Sequence, residues 1–326
     1  MTKRFQLSSI LTAGALLASF SAAHAEPLRL EPIKYGDMNS WVTRTVGESG
    51  IIGGNKKTLY EIGPNITISK ENQPYTPQGG SPWATSNVYA HVKGINKGSN
   101  AVYPEARAGA GKCAKLCSQI ETVRVLHMIN LDVMVAGSIF LGRMYEPIKS
   151  TSNPYSKMEM GIPYTKRPKA LVFDYKVDMP DNNTRIKATG FGGKKTMPGR
   201  DHAVAFVFLQ RRWEDADGNI HAKRVATGGE KFGKTVPWTS KHQVTLHYGD
   251  YSSSAGGPSW LGLLPKQRSY YARNSKGKLV PVIEEGWDDP NATPTHVIVE
   301  FSAGSGEAYI GTEGLTFYVD NVAFGF

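Results

Sequence analysis

The sequence predicts an all-β fold of two packed antiparallel sheets, a β-sandwich. Three observations carry this: no long segment keeps a helical period, short alternating apolar runs recur along the chain, and strong turn signals separate them. The composition agrees, with 35 glycines, 15 tyrosines and 12 phenylalanines in 326 residues. Residues 26–326 contain neither a low-complexity linker nor an internal repeat, so they read as one domain.

The first residues predict export. Lys3 and Arg4 precede an apolar run at 10–20, and Ala23-His24-Ala25 supplies a small-x-small cleavage pattern, so residues 1–25 read as a signal removed before Glu26. That run is too short to span a bilayer, and no later apolar stretch reaches spanning length. No cysteine follows it, so a lipid anchor is not expected. The expected location is therefore periplasmic or extracellular. Without Lys3 and Arg4 the formal charge drops from +10 to +8. The remaining basic residues are scattered, in pairs such as Lys56-Lys57, Lys166-Arg167, Lys194-Lys195 and Arg211-Arg212. Scattered charge on an exported chain argues against nucleic acid as a partner.

Taken in order, the strands are expected at 58–62, 84–92, 112–118, 133–141, 170–177, 202–213, 220–226, 243–248, 296–302 and 315–324. Gly53-Gly54, Gly79-Gly80, Pro180-Asp181-Asn182-Asn183, Asp217-Gly218 and Pro290-Asn291 punctuate them. The two last strands, 297–301 and 315–322, enclose a glycine-rich polar connection at 304–314. Ten strands at this spacing suit two packed sheets.

Glu214-Asp215-Ala216-Asp217-Gly218-Asn219 places oxygens at alternate positions, as a calcium loop does. Strands lie immediately on both sides and no closing glutamate follows, so a hairpin turn is expected, with Asp217-Gly218 supplying positive φ. Cys113 and Cys117 fall in one expected strand. Residues four apart on a strand are roughly 13 Å apart, beyond the Cα span of a disulfide, so free thiols are expected. Two thiolates without a following histidine do not make a metal site. His127, His202, His221, His242, His247 and His296 are dispersed. Neither a Ser-His-Asp signature nor a phosphate-cradling glycine loop stands out.

Residues 249–294 form a long segment rich in Gly, Ser, Pro, Tyr and charge, read as a loop insertion of the kind that carries function. It contains Trp260, Trp287, Tyr270 and Tyr271, the candidate sugar-stacking rings, because pyranose C–H faces pack on flat aromatic surfaces. It also contains the densest acidic cluster, Glu284, Glu285, Asp288 and Asp289, the candidate catalytic carboxylates. Glycoside hydrolysis needs two carboxylates facing each other across the bond.

Several segments resemble one family. Tyr35-Gly36-Asp37-Met38-Asn39-Ser40-Trp41, Trp83-Ala84-Thr85-Ser86-Asn87, residues 111–116, Ala136-Gly137-Ser138-Ile139-Phe140-Leu141-Gly142 and residues 161–168 are similar, in order and spacing, to the putative carbohydrate metabolism domain family (PCMD). Phe301-Ser302, 304–310 and 315–322 continue the resemblance. It implies a jelly-roll β-sandwich and extracytoplasmic glycan handling. Asn39 stands where the family usually has an acidic residue, 249–294 looks inserted, and there is no lipobox. Related jelly rolls hold a structural calcium between their first and last strands. This resemblance points to Asp37 and Asp320 as its ligands here, although Asp320 also suits a strand bend where it accepts backbone amides.

The expected function is glycan binding through aromatic rings, with no cofactor required beyond that calcium. The alternatives are a glycoside hydrolase acting through the 284–289 carboxylates and a surface adhesion domain without a site.

Overall fold

The computed structural model describes residues 27–125, 129–150, 152–190, 193–305 and 307–326. The expected signal at 1–25 lies outside the described residues, as does His127. Strands dominate the fold. No helix among the described residues is long and apolar enough to cross a membrane.

Two ten-stranded sheets carry most of the chain. At the centre of the first lies Thr316–Gly325, paired antiparallel with Gly111–Val125 on one side and Ala170–Asp178 on the other. Its alternation places Phe317 and Val319 in the core. Asn321, at φ 50°, marks a bulge that coincides with a register shift between Val172 and Asp174 on the neighbouring strand. Beyond it Val322 and Phe324 take over the core face, since an extra residue resets the parity of a strand.

In the second sheet the hydrogen-bonded path returns on itself. From His296–Ser302 it runs through Ala203–Glu214, Ile220–Phe232, Leu279–Trp287, Tyr271–Arg273 and Met158–Met160 to Ser138–Met144, which pairs again with His296–Ser302. Residues 203–209 of the strand Ala203–Glu214 are apolar on both faces, and they pair with His296–Ser302. One face, with Ala205, Val207, Val299 and Phe301, packs on Phe173, Tyr175 and Phe317 of the first sheet. Phe173 meets Phe301 edge-to-face at 4.8 Å. The opposite face, with Val204, Phe206, Phe208 and Ile298, joins a separate apolar cluster with Phe140, Met160 and Leu261. A strand buried on both faces reads as a continuous apolar run, which is how residues 203–209 appear in the sequence.

The all-β expectation holds, and each expected strand is found, some longer or divided. The expected run at 133–141 is two strands, Ile129–Ala136 in the first sheet and Ser138–Met144 in the second. Gly137 is the corner between them. A Cβ there would sit 2.2 Å from the Ala101 carbonyl oxygen, so only glycine allows the crossing. The run at 84–92 is likewise divided into Trp83–Thr85 and Val88–Val92.

The segment 249–294 differs most from expectation. It supplies three short 3-10 turns and two strands, Tyr271–Arg273 and Leu279–Trp287. Leu279–Trp287 runs parallel to Ile220–Phe232, and Tyr271–Arg273 runs parallel to Met158–Met160. The second sheet is therefore mixed where two purely antiparallel sheets were expected, because this segment returns along the sheet instead of looping away. Its glycines, prolines and charges conceal the β-branched run Val280, Val282, Ile283.

The hairpin turn at 214–219 is as expected. Gly218 takes φ 88°, and the Asp215 carboxylate accepts from the backbone N–H groups of Asp217 and Asn219. Cys113 and Cys117 both lie in Gly111–Val125 as free thiols. Burial, the leading cause, pushes the Cys113 thiol up to about 12.

Candidate functional site

A cavity of about 830 Å³ opens over the apolar outer face of the second sheet. Val204, Phe206 and Phe208 contribute from one strand, and Glu300 and Ser302 from its neighbour. Val133 and Val135 of the first sheet form one wall. The segment 249–294 forms another, with Trp260, Leu263, Leu264, Arg268 and Tyr270. Tyr155, Tyr309 and Lys231 also line it.

Trp260 is held by what lies beneath it. A Cβ on Gly229 would sit 2.9 Å from the Trp260 ring and 2.7 Å from Leu261, so glycine lets both side chains settle on the Ile220–Phe232 strand. The Lys231 ammonium lies 4.8 Å from the Trp260 ring centroid. Phe206 and Phe208 stack at 4.7 Å, with Tyr270 about equally far from both, at 6.2 and 6.3 Å. Phe206, Phe208 and Tyr270 thus form one aromatic cluster, and Trp260 lines the same cavity.

Glu300 is the one carboxylate on this floor that interrupts an apolar run, Val-Ile-Val-Glu-Phe. It stands opposite Phe140 on one neighbouring strand and Phe206 on the other. Among the described residues it has no hydrogen-bond or ion-pair partner. Burial alone raises its pKa to about 7. Burial also raises the phenols of Tyr155 and Tyr270, and the Glu300 charge adds to both shifts.

The expected site residues divide. Trp260 and Tyr270 line the cavity; Trp287 and Tyr271 do not. The Tyr271 hydroxyl accepts from Asn153 at 3.0 Å. Trp287 lies with its ring centroid 5.7 Å from the Arg224 guanidinium.

None of the four expected catalytic carboxylates faces the cavity. Glu284, 1% exposed, forms a two-point ion pair with the fully buried Arg224 at 2.6 and 2.5 Å. It also accepts from Gln210 at 2.7 Å and from the Leu264 N–H at 2.8 Å. Asp288 is held by two bonds from Arg211, at 2.7 and 2.9 Å, which keep its carboxyl below the usual range. Glu285 lies 2.6 Å from His221 Nδ1, and Asp215 lies 3.0 Å from Nε2. The first of these carboxylates to matter is Asp215, whose hydrogen bond leads the causes that raise the His221 pKa. Asp289 caps a turn by accepting from the Asn291 N–H at 2.7 Å. The hydrolase candidates are thus structural anchors, because this acidic run lies on and beside a strand flanked by Arg211, His221 and Arg224.

Asp37 and Asp320, the expected calcium ligands, both have protein partners. Arg107 donates to both Asp174, at 2.8 Å, and Asp320, at 2.7 Å, and so supplies the positive charge there. Asp320 further accepts from the Asn321 N–H at 2.8 Å, the strand-bend role open to it. Asp37 instead accepts from Asn39, whose own side-chain oxygen receives the Lys112 N–H at 2.8 Å. No group of three or more His, Cys, Asp or Glu able to hold a metal occurs among the described residues.

Sequence reasoning missed Glu300, Tyr155 and Tyr309. For Glu300 a signal existed: strand parity sets Ile298, Glu300 and Ser302 on the face opposite Val297, Val299 and Phe301. Tyr155 and Tyr309 come from turns whose approach to the cavity no local pattern reveals.

The model of the putative carbohydrate metabolism domain matches residues 58–222 of this chain. Trp260, Tyr270 and Glu300 lie beyond the matched part. Among solved structures, the chain is similar to a putative glycoside hydrolase from Bacteroides vulgatus ATCC 8482, at 14% identity and TM-score 0.46, over 82% of this chain and 91% of that one. It is also similar to a putative glycoside hydrolase from Bacteroides thetaiotaomicron VPI-5482, at 14% identity and TM-score 0.43, over 81% and 77% respectively. No curated protein matches.

Proposed function

The chain belongs to the putative carbohydrate metabolism domain family, and from that premise we propose that it is an exported glycan-binding protein whose ligand occupies the cavity beside Trp260. The observation that carries this reading is the lining. An aromatic surface of Trp260, Tyr270, Phe206 and Phe208 meets a few polar groups in a concavity of about 830 Å³, within the usual range for ligand sites. Aromatic faces take the C–H sides of sugar rings, while hydroxyl, ammonium and carboxyl groups take the hydroxyls.

Binding is favoured over hydrolysis because the four carboxylates at 284–289 are engaged elsewhere. A glycosidase places two carboxyl groups about 5–9.5 Å apart across the bond. Of the carboxylates that line this cavity, Glu300 stands on its floor, Glu121 is ion-paired with Lys57, and Glu307 lies in the exposed connection after Gly304. Export rests on the leader pattern at 1–25, and a mature mass beginning at Glu26 in protein recovered outside the cytoplasm tests it.

The test of binding is a glycan array with the 26–326 protein, run beside a reducing-sugar release assay. Retention of a glycan that Trp260→Ala weakens at least tenfold and Trp287→Ala leaves unchanged is the expected result. Equal retention by the Trp260→Ala protein sinks the cavity assignment, and sugar release abolished by Glu300→Gln replaces binding with hydrolysis.

A further inference from the structure

Glu300 is the most anomalous group in the cavity. Its backbone is fixed on both sides, by Ser138–Met144 and by Ala203–Glu214, so the carboxyl cannot swing out to bulk water with its strand. Phe140 and Phe206, its direct cross-strand neighbours, offer it no hydrogen bond. Other buried acids of this chain are provided for: Glu284 has Arg224, Glu61 has Arg44, and Asp320 has Arg107. Glu300 is partly exposed to the cavity, and a carboxyl held there against apolar rings without a protein partner leaves its hydrogen-bonding capacity to whatever fills the cavity.

We propose that Glu300 grips the glycan as a neutral carboxylic acid, donating its proton in a hydrogen bond to a ligand oxygen, and that the complex weakens when that proton is lost. This inference rests on the glycan-binding reading of the cavity. Ionised, Glu300 accepts only; protonated, it both donates and accepts, matching a sugar hydroxyl that does the same. The titratable groups facing it come from separate elements. Tyr155 stands on the turn Pro154–Lys157, Tyr270 precedes the strand Tyr271–Arg273, and both phenols stay protonated across the neutral range. Arg268 and Glu307 act on Tyr155 together with Glu300. Farther along the lining, Lys231 is stacked on Trp260, Glu121 is paired with Lys57, and Lys97 is paired with Glu48. Among the described residues no lysine or arginine pairs with Glu300 itself. The carboxyl therefore stays protonated to about pH 7, well above the ordinary 4.5.

If only the protonated form binds, the apparent affinity scales with its fraction. Between pH 6 and pH 8 that fraction drops about tenfold for an acid titrating at 7. The test has two arms on the 26–326 protein. Carbon-13 NMR of carboxyl-labelled glutamate, assigned by difference from Glu300→Gln, reads the free protein; a titration near 7 is expected, and one near 4.5 overturns the proposal. The second arm measures affinity, at pH 6 and pH 8, for whichever oligosaccharide is retained from an array of neutral and uronate-containing glycans. Wild type is expected to lose about tenfold while Glu300→Gln, a constant donor, stays flat. Flat or rising wild-type affinity overturns the proposal, as does an equal drop in Glu300→Gln. The two readings fail separately: loss on Trp260→Ala with Glu300→Gln tracking wild type removes only the Glu300 role, whereas no retained glycan removes the cavity reading beneath it.

Discussion

Replacing Arg224 by methionine tests whether the 284–289 carboxylates are anchors or chemistry. Arg224 is fully buried, its guanidinium lies 3.7 Å from the Phe208 ring centroid, and it forms both bonds of the ion pair with Glu284. Methionine keeps much of the apolar stem but strands the Glu284 charge. Removing one partner of a buried ion pair costs about 3–5 kcal/mol. Glu284 retains Gln210 and the Leu264 N–H, and hydrogen bonds to a charged group contribute roughly 1.5–3 kcal/mol each, so the lower end, about 3 kcal/mol, is expected. Through Leu264 the same loss loosens the wall of the cavity.

Urea denaturation at pH 7 measures the cost, and the double variant Arg224→Met/Glu284→Gln removes the stranded charge. The double variant is expected to recover most of the loss, because a buried pair is replaced with less penalty than it is broken. A cost below about 1 kcal/mol for Arg224→Met would refute the anchoring argument. So would a double variant no more stable than the single one, since Glu284 would then not be the group left uncompensated.

Three further outcomes follow from the same contacts. The Glu300→Gln protein is expected to match wild type in stability below pH 4.5 and to exceed it increasingly as pH rises to about 7, by at most roughly 3 kcal/mol at 1.36 kcal/mol per pH unit. The sign follows from the raised value: the folded state holds this proton more tightly than the unfolded one, so wild-type stability is lost as pH rises, and parallel denaturation curves at pH 4 and pH 8 would contradict it. Chelation with EDTA is expected to leave Tm unchanged, because Arg107 already bridges Asp174 and Asp320; a drop of several degrees would favour the calcium expectation. Thiol titration of denatured, unreduced protein is expected to find two reactive groups, Cys113 and Cys117, and none would show them bridged.

The fold was legible wherever one local rule governed a residue. Strand alternation located Ala170–Asp178, Ala203–Glu214 and His296–Ser302, and strand spacing alone separated Cys113 from Cys117. Legibility ended where a local signal had two physical sources. Leu279–Trp287 carries proline, glycine and paired acids, all marks of a loop, yet its Val280 and Val282 pack with Ile220 and Ala222 on the neighbouring strand. Those acids are there because Arg224, Arg211 and His221 approach from elsewhere in the chain, and no local pattern encodes that approach. Trp260 and Tyr270 were recoverable as rings in a long segment, but Tyr270 and Tyr271 could not be told apart until strand direction was known.

Why the cavity lies where it does follows from the two faces of Ala203–Glu214 and His296–Ser302. Their first faces are consumed by the sandwich, through Val207, Val299 and Phe301. Their second faces still carry Val204, Phe206, Phe208 and Ile298, which a sheet does not leave bare to water. Part of that area is covered by Leu261 and Met160. The remainder lines the cavity, and the one charged side chain these two strands bring to it is Glu300. Along the apolar stretch 203–209 a glutamate would face either the sandwich core or a packed neighbour and be strongly destabilising. On the cavity floor its cost is moderated by open space that a ligand can fill, and this makes a contact to the ligand the natural compensation for keeping it.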